Sequence, residues 1–130
     1  MGRHVDHQGG SVNVVALDRE IFFTGSLRED AVINAVNIET DKFPESSLDF
    51  SSFCSPHGRL WSELINDQNF LSVFRPHDGA WENYLSAAFL RLAHLYGLER
   101  VKGMNACVSG NIPQAAGMSS SSALVVGTFQ

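Results

Sequence analysis

The stretch from Ile112 to Leu124 constrains this chain most: Ile-Pro-Gln-Ala-Ala-Gly-Met-Ser-Ser-Ser-Ser-Ala-Leu. It is a turn of small residues set between two apolar runs. Met104 to Ser109 precedes it with apolar residues at alternate positions, as in a strand. Ala123 to Val126 follows it, as in a buried helix. Small side chains let a ligand approach the main chain closely. The first turn of a helix carries N–H groups with no partner inside the helix, and its dipole favours an anion there. Four consecutive serines add hydroxyls suited to phosphate oxygens or a hard cation. The segment reads as a phosphate cradle. The same residues also fit a plain N-capped helix or a flexible linker.

The pattern Pro113-x-x-x-Gly117-Met118-Ser119-Ser120-Ser121-Ser122-Ala123 resembles the second motif of the GHMP kinases, the superfamily of galactokinase, homoserine kinase and mevalonate kinase. The family form is Pro-x-x-x-Gly-Leu-Ser-Ser-Ser-Ala. Here Met118 stands at the Leu position, Ser122 at the first Ala position, and Ala115 at a position often held by Gly. The resemblance implies that Pro113, Ala115, Ala116, Gly117, Met118, Ser119, Ser120 and Ser121 bind ATP. It also implies that Ser121 ligates Mg²⁺.

The opening Gly2-Arg3-His4-Val5-Asp6-His7-Gln8-Gly9-Gly10 is similar to the galactokinase signature Gly-Glu-His-Thr-Asp-Tyr-Asn-Gly-Gly. By that resemblance His4 and Asp6 contact the sugar and Gly9 lies in the following turn. Arg3 departs from the pattern, because a Glu acceptor is replaced by a planar fork of donors. Such a fork pairs with a carboxylate, which suggests a uronic acid such as galacturonate as substrate. The alternative is an Arg3 that faces solvent or an acidic side chain. Trp81-Glu82-Asn83-Tyr84 resembles a third family segment, Trp-x-Asn-Tyr, at the opening of a helix.

The resemblance implies an ATP-dependent sugar kinase acting at an anomeric hydroxyl, or a non-catalytic sugar and ATP sensor with the same fold. It implies an α+β domain similar to ribosomal protein S5 domain 2, with a mixed or antiparallel sheet and helices on one face. The family's catalytic Arg lies on a strand ahead of the first motif, and its catalytic Asp lies downstream of the second. Both are expected outside these 130 residues. Residues 1–130 therefore read as one truncated amino-terminal domain, inactive alone.

Local patterning predicts strands over 11–17, 20–27 and 31–38, joined as an antiparallel meander. Residues 40–56 read as a polar loop anchored by Phe43, Leu48, Phe50 and Phe53, or as a short edge strand. Trp61, Leu64 and Ile65 suggest a short helix that Phe70 to Phe74 could extend, and Pro76 ends it. Over residues 80–95, Trp81, Tyr84, Leu85, Ala88, Leu92 and Leu95 recur at helical spacing and read as core, with Asp78 as N-cap and Gly97 as the stop. A strand over 101–110 then leads to the loop, and a second helix starts near Ser119.

Net charge is −5, so there is no basic field for nucleic acid. No apolar run reaches the roughly 20 residues that span a bilayer. No secretory signal opens the chain, and Cys54 and Cys107 form no metal or redox spacing. A cytoplasmic protein with two reduced thiols is expected. His57 and His77 read as solvated loop residues. Oligomeric state is open.

Overall fold

A computed structural model describes residues 9–11, 15–53, 59–75, 77, 79–114 and 117–130. Four strands form one sheet: β1 (Ile21–Leu27), β2 (Val32–Asn37), β3 (Ser46–Asp49) and β4 (Met104–Gly110). Four α-helices accompany them among the described residues: α1 (Trp61–Leu64), α2 (Gln68–Phe74), α3 (Glu82–Tyr96) and α4 (Ser120–Phe129).

The spatial strand order is β1-β4-β2-β3. β4 runs antiparallel to β1 and parallel to β2, and β3 closes the sheet antiparallel to β2. The sheet is thus mixed, in an α+β arrangement. This corrects the expected meander, since β1 and β2 are not neighbours. The last strand inserts between them. The connection from β1 to β2 passes over the start of β4, where Arg28 N donates to Gly103 O (2.9 Å) and Gly103 N to Asp30 O (2.7 Å). A Cβ on Gly103 would stand 2.1 Å from Val32 O, so the crossing needs glycine.

The period of two in each strand separates two faces. Ile33, Ala35, Ala106 and Val108 are buried, while Ile21 and Phe23 are partly buried against the same core. Phe50 lies beneath them, its ring stacked at 4.5 Å on Phe89 of α3 and at 5.9 Å on Phe74 of α2. Leu64 and Leu85 are fully buried as well. On the other face a polar row crosses all four strands. Asn105 Nδ2 donates to Ser26 Oγ (3.4 Å), Asn34 Nδ2 to Asn105 Oδ1 (3.1 Å), and Ser47 Oγ to Asn34 Oδ1 (2.8 Å). Hydrogen bonding along the row satisfies these amides.

The strand expected over 11–17 lies partly outside the described residues. Residues 15–17 have no regular structure, and Val15 is 71% exposed, so its apolar side chain is not paired with a core. The region after β3 forms two helices rather than one. Asp67 separates them, accepting from the N–H of Asn69 (2.9 Å) and of Phe70 (3.3 Å) as the N-cap of α2. The expected anchors Phe50 and Phe53 are buried, and Leu48 lies on the short edge strand β3. Pro76 and Asp78 lie outside the described residues; α3 begins at Glu82 with Trp81 as its N-cap, not at the expected Asp78, and no side chain caps it.

α3 follows the predicted span but only part of the predicted stripe: Trp81, Leu85 and Ala88 are buried, whereas Tyr84 and Leu95 are exposed, because the buried face runs through Phe89 and Ala93 instead. Leu85, Ala88, Phe89 and Ala93 face the core, and Gly97 ends the helix at φ 88° with its N–H on Ala93 O. α4 packs against α3 and β1. At Gly127 it lies close against the sheet, where a Cβ would stand 2.3 Å from the Phe23 ring. His77 is exposed. Cys107 carries a free, half-buried thiol, and Cys54 and His57 lie outside the described residues.

Candidate functional site

Strand β4 delivers the chain to the small-residue loop. Its end is clasped to the residue ahead of β1: Asn111 N donates to Glu20 O (3.1 Å), and Glu20 N donates to Asn111 Oδ1 (2.8 Å). Ile112, Pro113 and Gln114 follow at the surface. Ala115 and Ala116 lie outside the described residues.

The chain then turns sharply into α4. Gly117 has φ 70° and Ser119 has φ 57°, both left-handed, with Met118 between them. Among the described residues Ser119 alone adopts positive φ without being glycine. That conformation costs an L-residue about 1–2 kcal/mol. Strain of this kind persists where surroundings over-determine it, and it clusters at ligand clamps. Ser119 is the N-cap of α4 and makes no side-chain cap hydrogen bond. The first-turn amides of Ser120, Ser121 and Ser122 thus receive no cap from Ser119.

The turn is open. Gly117, Met118 and Ser119 are exposed, and Met118 is 43% exposed despite its apolar side chain. A Cβ on Gly117 would meet no atom within 4 Å. Ser120 and Ser121 are half-buried in the first turn of a ten-residue helix. Two left-handed residues flanking Met118, followed by the first-turn amides, suit an anion. Serine hydroxyls suit phosphate oxygens and a hard cation alike. The chemistry of this donor set fits a magnesium-bound phosphate chain.

A cleft of about 400 Å³ adjoins the loop. Glu39 and Lys42 line one side, and Gly110 to Gln114 line the other. Residues Glu39 and Lys42 lie in the connection from β2 to β3. Glu39 N donates to Asn37 Oδ1 (2.9 Å), and Lys42 N and Phe43 N donate to Glu39 O (3.0 Å each). Phe43 sets its ring edge-on to Trp81 at 6.0 Å, and Trp81 Nε1 donates to Pro44 O (3.0 Å). Trp81 is buried and holds this turn against α3. The Trp81 segment stands out in the sequence, whereas Glu39 and Lys42 do not. Their only local signal was a charged pair at i, i+3 in a polar loop.

Of the sugar residues expected from the sequence, Arg3, His4 and Asp6 lie outside the described residues. Gly9 is exposed at φ 76° with nothing within 4 Å of a Cβ. Among the described residues no cluster of three or more His, Cys, Asp or Glu could hold a metal ion. Also among them, no helix is long and apolar enough to cross a membrane.

Residues 83–130 match the model of the GHMP kinases N terminal domain. The chain is 29% identical over 126 residues to a galactokinase of Clostridium perfringens, covering 95% of this chain and 27% of the relative. It is 28% identical over 131 residues to a galactokinase of Lacticaseibacillus casei, covering 99% of this chain and 28% of that protein. With a galactokinase of Schizosaccharomyces pombe the identity is 26% over 140 residues, covering 99% of this chain and 24% of the relative. The chain spans about a quarter of the length of the curated relatives it matches.

Proposed function

From a chain that resembles the galactokinases along its length and the GHMP kinase N-terminal domain over 83–130, we propose an ATP-dependent sugar kinase as the function of the complete protein. The acceptor is the anomeric hydroxyl of galactose or a related sugar or uronic acid. The observation that carries this reading is the open turn at Gly117 and Ser119, which leads into the uncapped serine helix.

Phosphoryl transfer asks a protein mainly for alignment and charge stabilisation. In this reading Gly117 lets the triphosphate reach the main chain. Met118 and Ser119 carry that main chain around it. The amides of Ser120 and Ser121 then point at phosphate oxygens, reinforced by the positive end of α4. Ser121 is the residue assigned to the cation. Mg²⁺, when bound with ATP, would supply positive charge that offsets the negative charge of the phosphates. Pro113, Ala115 and Ala116 complete the loop. The cleft beside Ile112 and Pro113 has the size of small-molecule sites and suits the nucleoside end.

His4, Asp6 and Gly9 are assigned to the sugar. Arg3, with its donor-only fork, is assigned to the carboxylate of a uronic acid. Its presence where galactokinases carry Glu is what favours that substrate class over galactose.

Sugar-dependent ADP release by the complete protein tests the proposal, with galactose and galacturonate compared. Release with galacturonate exceeding release with galactose, and reversed by Arg3→Glu, is the expected result. Mg·ATP binding with no release on any sugar would support the non-catalytic sensor instead. Absence of Mg·ATP binding would remove the nucleotide reading altogether.

A further inference from the structure

The nucleotide reading of the loop leaves one feature of the adjoining cleft unassigned: a carboxylate in a site that would receive a polyanion. Glu39 and Lys42 line that cleft opposite Gly110 to Gln114. Lys42 Nζ lies 2.7 Å from Glu39 Oε1. The other carboxylate oxygen has no partner among the described residues. Both side chains are about half exposed, 61% for Lys42 and 46% for Glu39. An exposed ion pair contributes little to stability. Yet its main chain is firmly held, through Asn37 on one side and through Phe43 and Pro44 on Trp81 on the other.

We infer that Glu39 is a specificity residue that accepts hydrogen bonds from the vicinal hydroxyls of the nucleotide's ribose, with Lys42 holding its carboxylate in place. The inference rests on the kinase reading above. Two neighbouring hydroxyls offer two donors, and a carboxylate is an acceptor-only group able to take both. An acidic side chain reads ribose hydroxyls in the same way in dinucleotide-binding folds. The opposite wall contains Ile112 and Pro113, apolar groups that suit a flat base. Ribose joins base to phosphates, so it lies between that wall and the loop that begins there. Lys42 also cancels the charge that Glu39 would otherwise turn against the triphosphate.

The test measures binding of Mg·ATP and of Mg·2′,3′-dideoxy-ATP to the complete protein by calorimetry, in the wild type and in Glu39→Ala. The wild type is expected to bind ATP about tenfold more tightly than the dideoxy analogue, the worth of a hydrogen bond to a charged acceptor. In Glu39→Ala the two nucleotides should bind within about twofold of one another, with ATP weakened. A carboxylate that acted only through its charge would give the opposite sign, since its removal would tighten both. That result, or equal affinity for both nucleotides in the wild type, overturns the inference while leaving the kinase reading intact. Should the variant fail to fold, the wild-type ratio alone decides. Failure of the wild type to bind either nucleotide overturns the kinase reading and this inference with it.

Discussion

Glu20 and Asn111 exchange two hydrogen bonds across 91 residues of chain, one between main chains and one through the Asn111 side chain. The clasp lies where β4 ends and the small-residue loop begins, so it fixes the direction in which that loop leaves the sheet. Asn111→Ala removes the side-chain half. The site is exposed, so the stability loss should stay near 1 kcal/mol. Affinity for Mg·ATP should fall several-fold, because the loop loses its fixed origin. Urea unfolding and calorimetric titration of the same variant check the two effects. An unchanged affinity would show that the loop is positioned by α4 alone.

Gly117 carries two demands at once. Its φ of 70° disfavours any residue with a Cβ, and its open side is where the proposed triphosphate approaches. Gly117→Val should therefore weaken Mg·ATP binding by more than tenfold and also destabilise the turn. Gly117→Ala separates the demands, having the backbone strain with less bulk. Affinity within about threefold of wild type in Gly117→Val would remove the phosphate loop from this position.

Gly127 sets the seat of α4. A Cβ there would meet the Phe23 ring at 2.3 Å, and the ring is partly buried against the core. Gly127→Val should cost about 2 kcal/mol through overpacking. Lifting α4 from the sheet also displaces the first-turn amides, so nucleotide affinity should drop in a variant that still folds. Thermal unfolding and binding titration together test this. A neutral effect on both would mean that Phe23 swings aside freely.

Acid should unfold the domain through a small set of carboxylates. The Arg28 guanidinium, donating from Nε and Nη2, is the main cause that lowers Asp30 from 3.8 to about 2, helped by the N–H of Val32. Asp67 is lowered too, first by Arg59 and then by the N–H of Phe70. Asp49 is lowered by Ser51. A carboxyl with a folded pKa below its unfolded one binds fewer protons when folded. Its contribution is complete above the unfolded value and disappears as pH falls through the folded one. The urea midpoint should therefore decline from about pH 4 towards pH 2. Asp30→Asn should flatten part of that decline, and added salt should shrink it.

Much of the secondary structure was legible because its causes are local. Leu85 and Ala88 recur at helical spacing and are buried as expected, and Gly97, at positive φ, ends α3; Tyr84 and Leu95 share that spacing yet are exposed. β1 and β2 begin and end within one residue of the predicted spans. The loop before α4 was legible for the same reason, since Gly117 and the serines are neighbours in the chain. The break between α1 and α2 is marked by the polar run Asn66-Asp67-Gln68-Asn69, in which Asp67 caps α2, between two apolar segments that could have been joined in one helix. Val15 and Leu17 lie in the stretch 11–17 expected as a strand, yet both are exposed in a segment without regular structure.

The sequence by itself determined which segments become strand, helix and small-residue turn, since φ/ψ preference, capping and apolar period act over a few residues. Only the tertiary structure decided that β4 enters between β1 and β2, and that Glu39 and Lys42 face the start of the loop. Strand order and cleft walls depend on contacts between residues some seventy positions apart, such as Ile33 and Met104. Those contacts form where the whole core packs best, and no short stretch of sequence carries that information.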